Sequence, residues 1–331
     1  MVASDFDTTR LGKTGLKVSE LGLGTWRFGH EDDQGNIPIG KERAHTLLDR
    51  YSSLGGNLID TANVYGEGLS EQYIGEWLED YDRRDFIIGS KIYWPTRDTD
   101  PNASGLNRRH IRNQIDKILS RLNTTYLDIL YVHRWDETTD VGTVMRTLTN
   151  LVSDGKVNYL GFSTSIPNAW RVVRANEYAK KHGLEPFSIV QPQYNLVTRQ
   201  IESQYLPMCR TYDLAVTTWS PLAGGFLTGK YSRSGTKQED ARGNRDDYFE
   251  DRYLTEANFK ILDAVREVSN EEGISPTQVS LRWLIENEDV SAPIIGARTV
   301  EQLEENIKST TVSLSQNHIT QLDKSGDWSG Y

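Results

Sequence analysis

The chain has one cysteine, Cys209, so no intrachain disulfide can form and cysteine-based zinc sites are excluded; a small buried apolar residue is the expectation for it. No stretch approaches the run of about 18 apolar residues that a membrane-spanning helix requires. Residues 1–6 lack the apolar core of a signal peptide, which makes the cytoplasm the expected compartment. Basic residues are outnumbered, 37 Lys and Arg against 47 Asp and Glu, giving a net charge of -10. That balance argues against an extended nucleic-acid interface, which needs a basic face to displace counterions, but not against one anionic cofactor in a local basic pocket. Linkers of Gly/Ser or Pro type and low-complexity segments are absent as well, so residues 1–331 are expected to form one domain with a sizeable core.

What is present is a rhythm. Residues 6–18, with Leu11-Gly12-Lys13-Thr14-Gly15-Leu16 between two extended pieces, predict a small β-hairpin. After it come eight short apolar runs, at 21–24, 57–60, 86–89, 127–132, 159–162, 188–190, 214–217 and 292–295. Helical patterns lie between them, among them 41–54, 71–78, 109–122, 141–152, 167–181, 201–211, 277–286 and 300–307. The pattern at 109–122 sets Ile111, Ile115, Ile118, Leu119 and Leu122 at helical spacing. Eight strand-helix repeats with near-continuous apolar strands imply a (β/α)8 barrel of the TIM type, an α/β fold. An open doubly wound sheet is the rival, but the first strand-to-helix turn carries no G-x-G-x-x-G: Gly22-Leu23-Gly24 runs on into Thr25-Trp26-Arg27. The charged stretch 232–254 is long enough to suggest a lid.

In such a barrel the chemistry sits at the C-terminal ends of the strands. The second strand ends in Asp60, with Tyr65 in the following loop and Ser70 as the expected N-cap of the next helix. Taken alone, this stretch is equally an ordinary turn with a half-buried aromatic. The third strand, however, ends in Lys91 and the fourth in His133. A phenol, with a reference pKa near 10, is a poor acid at neutral pH unless a cation stabilises its phenolate. Lys91 can supply the cation, Asp60 can hold the ammonium, and His133 can donate a hydrogen bond to a substrate oxygen. The set suits proton delivery to a carbonyl while something else delivers hydride. Trp26, Trp94 and Trp135 follow strands one, three and four, which makes an aromatic-walled substrate pocket, with Tyr65 and His133 in it, the expectation.

The stretch Asp60-Thr61-Ala62-Asn63-Val64-Tyr65-Gly66 followed by Ser70-Glu71 resembles the signature of the aldo-keto reductases, nicotinamide-dependent enzymes on a (β/α)8 barrel. Lys91 and His133 fall where that family places the rest of its Asp, Tyr, Lys, His tetrad, and the resemblance covers essentially the whole chain. His133-Arg134-Trp135-Asp136 with Gly155-Lys156-Val157 is similar to the aryl-alcohol-dehydrogenase-like branch.

The resemblance implies a cofactor site in the second half. It assigns Thr25 and Trp26, with Asp60, to the cofactor side of the first strands, and Ser163 and Gln191 to the nicotinamide carboxamide. Thr164 stands where the family has an Asn beside that Ser. Trp219 falls where an aromatic stacks under the nicotinamide ring, followed by Ser220 and Leu222. The run from Gly224 to Lys230 satisfies G-x-x-x-x-G-K, but Tyr231 follows where a nucleotide triphosphatase needs Ser or Thr to reach magnesium. In the resembled family this loop, with Gly225 and Lys230, lies along the cofactor pyrophosphate. Gly296 and Gln302 stand where many members carry Lys and Arg for the adenosine 2′-phosphate, Arg298 supplies a substitute charge, and Glu305 and Asn306 match the adenine-facing pair. NADPH is therefore the expected cofactor, with NADH as the alternative, and no metal is expected. The implied activity is interconversion of a small-molecule aldehyde or ketone and its alcohol. The alternative is a nucleotide-binding regulatory subunit like the potassium-channel β-subunits of this family.

Overall fold

Strands that are apolar on both faces must be covered on both, and closing them into a barrel does so. The computed structural model describes residues 6–32, 35–164, 168–233 and 247–326. An antiparallel hairpin, β1 (Thr8–Arg10) and β2 (Lys17–Ser19), comes first. The barrel follows: β3 (Gly22–Gly24), β4 (Leu58–Asp60), β5 (Ile87–Ile92), β6 (Leu127–Val132), β7 (Val157–Thr164), β8 (Phe187–Pro192), β9 (Ala215–Thr218) and β10 (Ala292–Ile295). They close in the order β10-β3-β4-β5-β6-β7-β8-β9, all parallel, with β9 pairing back to β10.

Around it stand α1 (Lys41–Ser53), α2 (Leu69–Trp77), α3 (Arg108–Arg121), α4 (Val141–Ser153), α5 (Ala169–His182), α6 (Tyr205–Thr211), α7 (Asp247–Tyr253), α8 (Glu256–Glu272), α9 (Pro276–Ile285), α10 (Val300–Ile307) and α11 (Gln316–Lys324). α3 shows the logic of the ring: Ile111, Ile115, Ile118 and Leu119 are buried at helical spacing, and Asn107 accepts from the His110 amide to cap its start.

Strand side chains alternate between two cores. Ile59, Ile88, Leu130, Val190, Val216 and Ile295 pack outward against the helices. Leu58, Ile129, Tyr131, Ile189, Ala215, Ala292 and Ile294 fill the bore, joined by Leu11 and Val18 of the hairpin. A side-chain Cβ at Gly12 would lie 2.8 Å from the amide nitrogen of Ala215, and the Tyr159 hydroxyl donates to the Thr14 carbonyl at 2.8 Å. The hairpin thus stops the N-terminal end of the barrel and leaves the other end as the mouth. Under that mouth Tyr131 fills the bore between β5 and β7, where a Cβ on Gly161 or Gly89 would meet its ring at 2.3 and 2.9 Å.

Two expectations are corrected here. Ser70 does not cap α2: the helix begins at Leu69 behind Gly68, whose φ of 99° only glycine adopts readily, and Ser70 is buried, bonded to Thr25 at 2.7 Å and Thr61 at 2.9 Å. The stretch 232–254 is not one irregular loop. Residues 234–246 lie outside the described residues, and 247–253 form α7, with Phe249 and Tyr253 buried against Tyr231 and Phe226. Among the described residues no helix is long and apolar enough to cross a membrane.

Candidate active site

The alternation that fills the bore also delivers the site. Two residues beyond Leu58 stands Asp60, and two beyond Gly89 stands Lys91; His133, Ser163, Gln191 and Trp219 follow Tyr131, Gly161, Ile189 and Thr217 at the same interval. All therefore share the inward parity at the mouth. Lys91 Nζ donates to Asp60 Oδ2 at 2.6 Å and to the Thr61 carbonyl at 2.8 Å, with the two side chains 1% and 8% exposed. Those bonds use two of the ammonium's three donors, and the third is left for Tyr65, whose ring centroid lies 5.2 Å from Nζ. Tyr65 meets the His133 ring edge-on at 6.1 Å. The turn that carries Tyr65 needs Gly66: its φ is 54°, and a Cβ there would stand 2.6 Å from the carbonyl carbon of Gly29.

Burial raises the Tyr65 phenol above its ordinary value; the Lys91 charge opposes that and the Asp60 charge adds to it. Lys91 does favour the phenolate as expected, but desolvation outweighs it in this state, and Tyr65 holds its proton. Burial pushes Lys91 down, but the Asp60 and Tyr65 charges outweigh it and the ammonium is retained. His133 is lowered to about 3, by burial first and the Lys91 charge second, so the imidazole is neutral and offers one N–H. Its Nδ1 is buried with no partner among the described residues. A histidine depressed from about 6.5 leaves the unfolded chain the better proton binder below that value. The stability it confers is present above about pH 6.5 and is lost as pH falls towards about 3. In proton NMR the His133 ring resonances should therefore stay flat from pH 8 to about 5, the range in which an ordinary histidine titrates; a midpoint near 6.5 would place the ring in water.

The residues assigned to a cofactor lie round the rest of the mouth. Ser163 Oγ donates to the Gln191 carbonyl at 3.2 Å, and Trp219 Nε1 to the Thr164 carbonyl at 3.2 Å, which fixes the indole across the ends of β7 and β9. Ser165 lies outside the described residues. Thr25 Oγ1 donates to the Asp60 carbonyl at 3.0 Å. Ser220, at φ 56°, accepts from Asn195 Nδ2, and Leu222 accepts from the Gly225 amide. Gly224 and Gly225, at φ 65° and 100°, turn the chain so that a Cβ on Gly225 would sit 3.1 Å from Lys230 Nζ. This is a concave turn with a cation beside it, and a side chain would fill it. At the last strand, Gly296 faces open space, Asn306 Nδ2 donates to its carbonyl at 3.3 Å, and Gln302 Oε1 accepts from the Arg298 amide at 2.9 Å. Glu305 accepts from Ser275 and pairs with Lys308 at 3.7 Å. The glycine turns, the start of α10 and the buried Thr218 Oγ1 at the end of β9, which has no partner among the described residues, fit a dinucleotide carrying phosphates.

Of the three tryptophans, Trp94 lies edge-on to His133 at 6.2 Å and Trp26 stands on the loop packed against the Tyr65 turn, both 37% exposed. Trp135 is not a pocket wall. It is buried against Phe162 in the outer core: β6 ends at Val132, and by Trp135 the chain has left the strand, so alternation no longer sets which way the side chain faces.

Sequence reasoning passed over several neighbours. Ser90, the outward neighbour of Lys91, donates to Glu71, which is fully buried and paired with Arg121 at 2.6 Å. Arg252 and Tyr253 of α7 both bond Gln193, two residues beyond Gln191. Gln191 itself donates to Asp60 Oδ1 at 2.8 Å. The inward parity of Gln191 was the available signal; the partner was not.

A closed barrel with an ionisable set at its C-terminal mouth defines a class of enzyme scaffold, and comparison with known proteins gives the family. The Aldo/keto reductase family model matches residues 20–327, and the chain belongs to that family, oxidoreductases that act on carbonyls and generally use NAD(P)H. Among its relatives is a norsolorinic acid reductase of Emericella nidulans, 37% identical over 93% of this chain and 78% of that protein. An aryl-alcohol dehydrogenase of Pestalotiopsis microspora is 34% identical over 95% and 80%. A "Probable voltage-gated potassium channel subunit beta" of Oryza sativa subsp. japonica is 34% identical over 91% and 90%.

Proposed function

We propose that the protein is an NADPH-preferring reductase interconverting an aldehyde or ketone and its alcohol, with residues 1–331 acting as one barrel domain. The observation that carries this is the Lys91 ammonium held by Asp60 at 2.6 Å and placed 5.2 Å from the Tyr65 ring. When bound, the nicotinamide supplies hydride. Tyr65 gives its proton to the carbonyl oxygen, and Lys91 stabilises the phenolate that results. Asp60 keeps the ammonium charged and aimed, and neutral His133 donates a hydrogen bond that orients the substrate oxygen. Ser163, Gln191 and Trp219 would hold the nicotinamide, Gly225 and Lys230 the pyrophosphate, and Arg298 the 2′-phosphate. Exposed Trp94 beside His133, together with the relatives' names, favours an aromatic carbonyl compound as substrate.

The 90% coverage of the rice channel-subunit relative supports a second reading, nucleotide binding without turnover. A panel of aryl and alkyl aldehydes with NADPH and with NADH, followed by loss of nicotinamide absorbance, separates the two. Oxidation of NADPH with aryl aldehydes is expected; tight binding with no oxidation across the panel would favour the regulatory role.

A further inference from the structure

Gln191 hangs from the end of β8, and β8 lies four strands from β4 in either direction round the eight-stranded barrel. Its 2.8 Å bond to Asp60 therefore spans the bore rather than joining neighbouring strands. Asp60 has one oxygen on Lys91 and the other on Gln191. A carboxylate beside an ammonium accepts hydrogen bonds and donates none, so the glutamine must present its NH2 to Asp60 and its Oε1 to the other side. The amide is 2% exposed and lies against the Tyr131 hydroxyl, which is itself 3.4 Å from Thr217 Oγ1. Turning it away would leave a buried carboxylate oxygen unsatisfied.

We propose that Gln191 is a positioning residue for proton delivery: a strut across the barrel mouth that holds Asp60, and through it the Lys91 ammonium, against Tyr65. Its Oε1 remains for the nicotinamide side, so one amide links the cofactor half of the mouth to the acid half. The inference rests on the reductase reading above. It goes further in giving a residue of the cofactor half a part in the proton step.

Three charged or titratable groups face Tyr65: Asp60 from β4, Lys91 from β5 and His133 after β6. Without the amide, the Asp60 charge is shared with one donor fewer and acts more fully on the phenol, which it raises. Gln191→Met, which keeps the length and loses the donor, is expected to lower kcat about ten- to a hundredfold. It should also move the basic limb of the kcat profile to higher pH, with a smaller change in KM for NADPH. Tyrosinate difference absorbance, Gln191→Met against Gln191→Met/Tyr65→Phe, reads the same shift without turnover. If the wild type reduces no aldehyde, the reductase reading fails while the tyrosinate titration still judges the strut. Should Gln191→Met not fold, Gln191→Asn, one methylene short of Asp60, serves in its place. Weaker NADPH binding with kcat, basic limb and Tyr65 ionisation unchanged would make Gln191 a cofactor ligand only and overturn the proposal.

Discussion

Tyr65→Phe is expected to remove carbonyl reduction while leaving nucleotide binding intact. The substitution deletes one oxygen and keeps the ring that packs edge-on against His133 at 6.1 Å. No hydrogen bond that organises the fold should be lost, and the melting temperature should stay close to that of the wild type. A positioned general acid contributes about 10²- to 10⁴-fold, and no other proton-holding group in the set can replace it. Neutral His133, with its pKa lowered to about 3, holds its remaining N–H too strongly to serve as an acid, and the Lys91 ammonium is held by Asp60 and Thr61. Single-turnover oxidation of bound NADPH measures the loss, and quenching of tryptophan fluorescence by NADPH measures binding. Turnover within a few-fold of the wild type would take the phenol out of the mechanism.

Lys91→Met should damage stability as well as activity. The ammonium is buried and lies 2.6 Å from a carboxylate that is itself buried, so its removal strands a charge inside the barrel. Breaking such a pair destabilises by about 3–5 kcal/mol, because the remaining ion has lost its water and its partner. The control is the double variant Lys91→Met/Asp60→Asn, which removes both charges and should recover much of the loss, since a neutral replacement of a buried pair is often close to neutral overall. Denaturant titration of the two variants decides it. If the double variant is no more stable than Lys91→Met, packing of the lysine stem, rather than the unpaired carboxylate, is the cause. Activity should return in neither, because no cation remains to stabilise the Tyr65 phenolate.

How much of this was legible in the chain differs from residue to residue. The eight strands, most of the helices and the hairpin follow from apolar runs and helical spacing, and they stand within a few residues of where the patterns set them. Ser70 misled because serine before a helical pattern is a good cap in general, whereas here Gly68 takes the left-handed position and the hydroxyl is drawn inward to Thr25 and Thr61. Trp135 misled because position after a strand was taken to mean position at the mouth; β6 ends at Val132, and two residues past His133 the chain has left the strand and packs its indole on Phe162 outside the barrel. The charged run before α7 hid a helix whose apolar residues, Phe249 and Tyr253, are anchored by Tyr231 and Phe226 from another part of the chain.

Residue type and strand parity belong to the chain alone, and they suffice to put Asp60, Lys91, His133, Ser163, Gln191 and Trp219 on the inner face at one end of a barrel. A two-residue period needs no partner to be read. Which of those residues meet, and in what charge state, belongs to the closed barrel. Gln191 reaches Asp60 across 131 positions of sequence because β8 stands opposite β4. The direction of each pKa follows from how far closure has excluded water: burial keeps the Tyr65 proton on and the His133 proton off. Local pattern encodes direction along a strand, while contact across the bore and loss of water exist only once the eight strands have closed.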